Sequence, residues 1–515
     1  MNSVTRWSRA CAIGSCLLLA ACAQLPEHPR LPVVNAPLPG VNAPLDRAFS
    51  PSEGQHPGES GFRLVIEGME AFAIRAHSAK LATRSLDVQT YIWHADTTGL
   101  FLAQQVLQAA DRGVQVRLLV DDFDARARNA GFAAFAAHPN VEVRLFNPFA
   151  SRSGGLRLAS EGARDFGRIN RRMHNKSWIA DNRIALVGGR NLGDEYFSAS
   201  DEVNFVDLDF AMVGPVVRDI SASFDRFWNS SAAWPMELLD PEASNAEALV
   251  RLRTMLDERA AGARDSGYAQ ELRNNDGVQR LVQGDWPLQW SAKYQFVSDD
   301  PAKVTMQERD ESRAAVGAAL VPLISNSAHS LQIISPYFVP GDAGSARLIE
   351  RVKAGASVQV LTNSLAANDV ASVHGGYSRH RRTLIEGGVQ VFELKPLSSK
   401  AAEASLTGSS GASLHTKALT ADGKTLFVGS YNLDPRSTWL NTEQGVLVED
   451  ATLAAQLGGI FGLETAGNRA WRVTFEGGSL HWGDGKESLD SEPHATGMQR
   501  FQAWLARVFH LDAQL

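Results

Sequence analysis

The chain is poor in cysteine. It has three in 515 residues, Cys11, Cys16 and Cys22, and none after position 22. That excludes a cysteine nucleophile, a thiolate metal site and a disulfide framework from the body of the protein. A body of this length needs no covalent staple, since it can bury a large core. Basic charge is also not in excess: 50 Lys and Arg stand against 57 Asp and Glu, for a net charge of −7. Nucleic-acid binders usually carry a basic footprint; the local run GRINRRMHNK (167–176) is basic, but the chain as a whole is acidic. Long apolar runs are missing too. Beyond the first 22 residues, no stretch approaches the roughly 20 apolar residues of a membrane-spanning helix.

The N-terminus has the marks of a targeting segment. MNSVTRWSRACAIGSCLLLAACAQ offers Arg6 and Arg9, a short apolar core and then Leu19-Ala20-Ala21-Cys22. This reads as a secretion signal, too short for a comfortable span. Leu-Ala-Ala-Cys resembles a bacterial lipoprotein cleavage box; the plainer alternative is an ordinary signal with a cysteine by chance. The resemblance implies that residues 1–21 are removed and that Cys22 becomes an acylated first residue. Several acyl chains anchor firmly where one is marginal. Ala23 after Cys22 permits sorting to the outer membrane, so the expected location is the bacterial cell envelope, as a periplasmic lipoprotein. Eight of the 21 prolines fall between Pro26 and Pro57. Residues 22–60 are therefore expected to form an extended, weakly structured tether that holds the body off a membrane.

The rest repeats itself. RSLDVQTYIWHADTTG (84–99) aligns with HSLQIISPYFVPGDAG (329–344), VQVRLLVDD (114–122) with SVQVLTNSL (357–365), and VEVRLFNPF (141–149) with VQVFELKPL (389–397). Four such matches in one order indicate a duplication. Between the strand-like runs lie helical periods, LFLAQQVLQAADRG (100–113) and SARLIERVKAGA (345–356), each ending in a short join. Strand, helix, strand is the βαβ pattern, and the Val/Ile/Leu runs suit strands covered on both faces. The expected fold is α/β: two pseudo-symmetric α/β/α sandwich halves with mixed sheets, at 61–230 and 286–515, joined by a helical connector at 231–285. LQWSAKYQFVSDD is expected to be the first strand of the second half.

The fourth match carries chemistry. HNKSWIADNRIALVGGRN (174–191) and HTKALTADGKTLFVGSYN (415–432) share His, Lys, Asp, Gly and Asn at equal spacing, 241 residues apart. Each reads as strand, turn, strand, with Asp181-Asn182 and Asp422-Gly423 as turns. His and Lys two apart share one side of an extended chain. A single pair of this kind is usually a solvated strand edge; two matched copies are not. Two imidazoles and two ammonium groups at an interface suit an anion with a phosphorus centre. The lysines stabilise charge on the non-bridging oxygens. One His attacks phosphorus, and the other protonates the leaving alcohol. An imidazole titrates near neutral pH and serves either role. No metal and no cofactor are called for.

These stretches resemble the HxKxxxxD motifs of the phospholipase D superfamily, and GGRN (188–191) and GSYN (429–432) resemble the tails that follow them. The resemblance covers about residues 60 to 515. It implies two α/β halves with the active site at their shared face, formed by His174, Lys176 and Asn191 with His415, Lys417 and Asn432. It further implies that Asp181 and Asp422 support the structure more than they react. His174 is implied as the nucleophile and His415 as the acid, although the residues themselves do not break that symmetry. Glu443, in NTEQG, resembles the acidic residue that orients a catalytic His. Asp207 or Asp209, in VDLDF, is expected to do so for the first half.

TYIWHADTTG, DDFDA (121–125), DLDFAMVGPVVRDISASFDRFWN (207–229), VHGGYSRHRRTLIEGGVQVFE (373–393) and the terminal LDAQL resemble the bacterial cardiolipin synthase C branch. That implies a phosphatidyltransferase acting on phospholipids such as phosphatidylglycerol and phosphatidylethanolamine at a membrane surface reached through a lipid anchor. The resemblance also makes His374, Tyr377 and Arg381 candidates for headgroup binding; the alternative is a polar surface helix. Most of the 11 tryptophans are expected in the core, and a few at a lipid interface. The competing functions are a hydrolytic phospholipase D, a secreted phosphodiesterase or nuclease, and a non-catalytic binding protein. Nothing in the sequence speaks to a protein partner.

Overall fold

A computed structural model describes residues 25–152, 156–305, 310–396 and 414–509. The signal segment, Cys22 and the terminal LDAQL lie outside the described residues.

The first sheet is built from β1 (Ser60–Val65), β2 (Ser85–Thr90), β3 (Gln115–Asp121), β4 (Val141–Phe146), β5 (Ser177–Ala180), β6 (Ile184–Gly188), β7 (Asp209–Val213), β8 (Ala233–Pro235) and β9 (Gln289–Ser291). Its order is β8-β4-β3-β2-β5-β6-β7-β1-β9. The second sheet is built from β10 (Tyr294–Ser298), β11 (Ser330–Ile334), β12 (Ser357–Asn363), β13 (Gln390–Leu394), β14 (Ala418–Ala421), β15 (Thr425–Gly429), β16 (Gln444–Glu449), β17 (Ala470–Glu476), β18 (Ser479–Gly483) and β19 (Ser488–Leu489). Its order is β10-β16-β15-β14-β11-β12-β13-β17-β18-β19. Seven strands from β1 to β7 thus recur from β10 to β16. In both sheets the βαβ units are parallel, β2 to β3 to β4 and β11 to β12 to β13, and the motif hairpins are antiparallel. The sheets are mixed, and the fold is α/β in two halves.

Local chemistry sets these elements. The crossover helix Thr97–Asp111 starts where the Asp96 carboxylate accepts the Gly99 N–H, and the chain leaves it through Gly113 at φ +94°. Leu102, Val106, Leu107 and Ala110 form its buried face. In the two motif hairpins, Asp181 and Asn182 take φ of 54° and 52°, and Asp422 and Gly423 take 55° and 61°. Those are residue types that tolerate the left-handed region.

The halves share one apolar core. Phe62, Ile179, Val187 and Phe210 of the first meet Leu414, Val428, Val446 and Phe461 of the second in a continuous buried cluster. Two isolated bridges, Met173 to Thr442 and Val206 to Leu414, stitch the backbones across the same boundary.

Two expectations need correction. Residues 288–291 do not open the second half: β9 pairs antiparallel with β1, so the chain changes sheets between Ser291 and Tyr294. The proline-rich segment does not hang free from residue 25 on. Val34 and Ala36 donate backbone N–H bonds to Asn229 and Asp225, and the carbonyls of Val34, Pro37 and Gly40 accept from Arg117, Asn182 and Arg183. The helix Pro44–Gln55 follows, with Leu45 and Phe49 in the core and Asp46 paired to Arg84 and Arg183. Proline removes donors but leaves carbonyls, and the body supplies the donors. No helix among the described residues is long and apolar enough to cross a membrane.

The motif aspartates lie at the far end of their hairpins from the histidines. The Asp181 carboxylate accepts the backbone N–H groups of Thr83, Arg84 and Ser85, and Asp422 those of Ala328, His329 and Ser330. Each fixes the chain that enters the neighbouring strand, β2 or β11, and neither belongs to the reacting set. Asp181→Ala strands three N–H groups at a fully buried carboxylate position and is expected to cost about 3 kcal/mol. The better-solvated Asp422→Ala is expected to cost less. Denaturant unfolding checks the order, and turnover per folded molecule should survive in both; lost turnover at unchanged stability would contradict the assignment.

Candidate active site

His174 and Lys176 lie just before β5, and His415 and Lys417 just before β14. Both approaches end at the boundary between halves. The His174 N–H donates to the Thr442 carbonyl, and the His415 N–H to the Val206 carbonyl. Each motif is therefore docked on the other half's chain, beside the residue that precedes the other half's carboxylate.

The carboxylates follow that crossing. His174 Nδ1 lies 2.9 Å from Glu443 Oε2, and His415 Nδ1 lies 2.6 Å from Asp207 Oδ2. Glu443 lies on the Nδ1 side of the His174 ring. Asp207, and not Asp209, is the first half's orienting acid, and it serves the second half's histidine. Asp209 instead pairs with the buried Arg75 at 2.9 Å. With Nδ1 donating to a carboxylate, each ring presents Nε2 with its lone pair free for chemistry.

The glycine tails now have a cause. A Cβ on Gly189 would lie 2.1 Å from Asp207 Oδ1, and one on Gly188 would lie 2.2 Å from Asp209 Oδ1. The short Asp207 needs that room to reach across. In the second half, a Cβ on Gly429 would lie 2.3 Å from the Gln444 carbonyl, while Ser430 stands where Gly189 does. Its hydroxyl donates to Glu443 Oε2, Ser437 donates to Oε1 at 2.9 Å, and the Glu443 N–H donates to Asp299. The longer acid is tied by two hydroxyls. The copies are alike in plan and different in wiring.

Lys176 Nζ donates to the His174 carbonyl at 2.6 Å, and Lys417 Nζ to the His415 carbonyl. His174, Lys176 and Lys417 are buried, and His415 is nearly so. Burial drives both imidazoles well below their ordinary 6.5, helped by the two ammonium groups. Burial also draws Lys176 down to about 7 and Lys417 to about 8, against the pull of Glu443 and Asp207. Glu443 is pushed up to about 7 by burial, opposed first by Lys176. An incoming phosphodiester adds one negative charge beside these groups. That charge favours a proton on one imidazole.

Aromatic rings brace the pair. Tyr91 meets the His174 ring edge-on at 5.2 Å, and Tyr196 does the same to His415, with Phe205 stacked at 5.4 Å. Asn191 is committed to this bracing: its Oδ1 accepts the Ile92 N–H, and its Nδ2 donates to Tyr196 Oη at 2.8 Å. Asn191 is thus a positioning residue rather than a catalytic one. Asn432 differs, with Oδ1 buried and without a hydrogen-bond partner among the described residues. Tyr91, Tyr196, Ser430 and Ser437 escape the sequence reading. The one visible signal is Ser430, where the second copy departs from the first.

His374, Tyr377 and Arg381 do not line the site. They lie on the helix Ala371–Glu386 and turn inward. Tyr377 Oη donates to Glu393 at 2.9 Å, Arg381 bonds Glu393 and Glu492 at 2.8 and 2.7 Å, and His374 Nε2 lies 3.4 Å from Glu492. Glu393 is fully buried on β13, and a buried carboxylate demands such partners. Among the described residues, one group of His and acids has metal-like spacing: His94, Asp96 and Glu195. Asp96 is occupied by the N–H groups of Gly99 and Asp194, and His94 by Glu195 at 3.0 Å, so this is an ion pair at a helix cap.

A duplicated α/β fold with one His and one Lys from each half at the boundary defines a phospholipase D-like enzyme. Residues 76–228 and 320–463 match the family described as "Cardiolipin synthase, PLD-like domain", and the chain belongs to that family. It is 40% identical to cardiolipin synthase C of Escherichia coli over 91% of this chain and 99% of the relative. It is 25% identical to cardiolipin synthase A of Pseudomonas syringae over 77% and 66% of the two chains. Among solved structures, it resembles phosphatidylserine synthase of Haemophilus influenzae, with a TM-score of 0.57 at 14% identity over 91% of this chain and 100% of that one. That likeness supports the fold.

The lysines fix the expected pH response. Raising pH through about 7 to 8 removes ammonium charge from the free enzyme, which weakens capture of an anion. A bound phosphodiester raises both lysine pKa values. We expect kcat/KM to fall on the alkaline side while kcat stays flatter, read from initial rates across pH. A kcat/KM that is flat through the alkaline range would contradict the charge assignment.

Proposed function

We propose that this protein is a phosphatidyl-transferring cardiolipin synthase that works through a phosphohistidine. The observation that carries the reading is the crossed arrangement, in which two imidazoles are each oriented by the other half's carboxylate and flanked by a lysine. In the first step His174 Nε2 attacks the phosphorus of a phospholipid. The P–N bond forms as the P–O bond to the headgroup alcohol breaks, and His415 gives its Nε2 proton to the departing oxygen. In the second step the hydroxyl of another phospholipid headgroup attacks the same phosphorus. His415 takes its proton, the P–N bond breaks and His174 is released. Lys176 and Lys417 hold the non-bridging oxygens in both steps, where preorganised charge in a dry site is most effective. Asn432 Oδ1 is a further contact for the acceptor hydroxyl.

The assignment of His174 as nucleophile rests on family resemblance. Phosphatidylglycerol is the proposed donor and acceptor, with phosphatidylethanolamine as an alternative partner. We place the enzyme at a bacterial membrane surface, tethered through Cys22; the Leu-Ala-Ala-Cys box and the short apolar segment before it support this.

The test uses purified protein with phosphatidylglycerol, with and without phosphatidylethanolamine, and mass spectrometry of lipids and peptides. We expect cardiolipin from the wild type, none from His174→Ala or His415→Ala, and in wild-type protein quenched during turnover a phosphatidyl adduct on the peptide that holds His174. Phosphatidic acid alone would make the enzyme a hydrolase with the same residues. A wild-type adduct on the peptide that holds His415 instead would reverse the roles. Wild type indistinguishable from His174→Ala on every lipid would reject the function.

A further inference from the structure

The helix Gly497–Val508 presents its large apolar side chains outward. Met498, Phe501, Trp504 and Val508 are 46 to 58% exposed, and Phe509 just beyond is 66% exposed. Their spacing of three and four residues puts them on one face. Phe501 and Trp504 stack at 6.1 Å. The opposite face is small and buried: Ala503 and Ala506 pack on the helix Ala371–Glu386. A Cβ on Gly375 there would lie 2.4 Å from the Ala503 carbonyl, so the two backbones touch.

This helix is built and held, not frayed. Thr496 and Gln499 form a reciprocal capping box. Glu492, just before it, is bound by Arg381. The helix carries no acidic residue, and Arg500 and Arg507 stand exposed beside the apolar face. An amphipathic helix with Trp and Phe on one side and arginines at its edge suits the headgroup boundary of an anionic bilayer.

Its position connects it to the site. Ala503 shares an apolar cluster with Leu365 and Ala371. Between those two, Asp369 accepts from Tyr337 Oη at 2.6 Å and feels the charge of Lys417. Val370 beside it is 38% exposed. From the first half, the exposed Phe123 stacks on Tyr91, whose ring meets His174.

We propose that the outward face of Gly497–Val508 is a membrane-docking surface that seats the mouth of the site on an anionic phospholipid bilayer, independently of the N-terminal anchor. This rests on the reading that the substrate is a bilayer phospholipid.

The test places a polarity-sensitive dye on Trp504→Cys in the full chain, with Cys11, Cys16 and Cys22 changed to Ser so that position 504 holds the only thiol. A second protein carries the dye on Glu247→Cys, on the connector helix Ala246–Ala263. Vesicles of phosphatidylglycerol with phosphatidylethanolamine should shift the emission to the blue and raise it several-fold at position 504. The rise should be smaller with phosphatidylcholine alone, and absent at position 247. No response at position 504, or an equal response at both, overturns the proposal and leaves the face to a protein partner. The dye reading needs no turnover, so a response without lipid transfer would keep the helix and reject the transferase. Kinetics give a second check. Phe501→Glu with Trp504→Glu should raise KM for vesicle lipid roughly tenfold or more and leave turnover of short-chain monomeric phosphatidylglycerol unchanged. Unaltered kinetics on vesicles would overturn it.

Discussion

Each imidazole is oriented across the boundary between the halves: His174 by Glu443, and His415 by Asp207. Neither half contains a complete histidine–carboxylate pair, because each holds a histidine of one pair and the carboxylate of the other. The duplication is therefore a chemical requirement. It also sets a demand on the fold, since a hydrogen-bonded imidazole must be held to within about half an ångström. The shared apolar core and the bridges at Met173–Thr442 and Val206–Leu414 meet that demand. They fix the backbones on either side of the two imidazole rings.

The crossing also explains the electrostatics. Four cationizable groups and two carboxylates share a largely buried site, and every one is displaced from its ordinary pKa. Burial is the largest cause throughout. Burial pushes both imidazoles toward the neutral form, and a negative charge bound beside them would favour a proton on one ring. The halves are not electrically equal. Glu443 accepts from two serine hydroxyls as well as from His174, whereas Asp207 accepts from the Leu208 N–H and His415. Unequal second partners suit two rings with unequal tasks.

Much of this was legible in the chain. The two HxKxxxxD stretches, their equal spacing and the repeated strand and helix periods lead to the two α/β halves, to the four central side chains and to Glu443. What the chain hides is partnership at a distance. VDLDF offers two aspartates, and only the packing of Gly188 and Gly189 decides that Asp207 reaches a histidine and Asp209 an arginine. His374, Tyr377 and Arg381 share one helical face that reads as polar and outward; Glu393 and Glu492, from remote segments, turn it inward. The same holds for the proline-rich segment, whose donors come from Arg117, Asn182 and Arg183. A strand such as β9 looks alike in either sheet, because alternation identifies a strand and not its neighbour.

Nitrogen NMR of imidazole-labelled protein tests the crossed pairing of histidines and carboxylates. Resonances are assigned with His174→Ala and His415→Ala, and then recorded in Asp207→Asn and Glu443→Gln. Asp207→Asn should move the His415 signals and leave His174 in place, and Glu443→Gln should do the reverse. If Asp207→Asn moved His174 instead, each half would be orienting its own histidine, and the crossed pairing would be wrong.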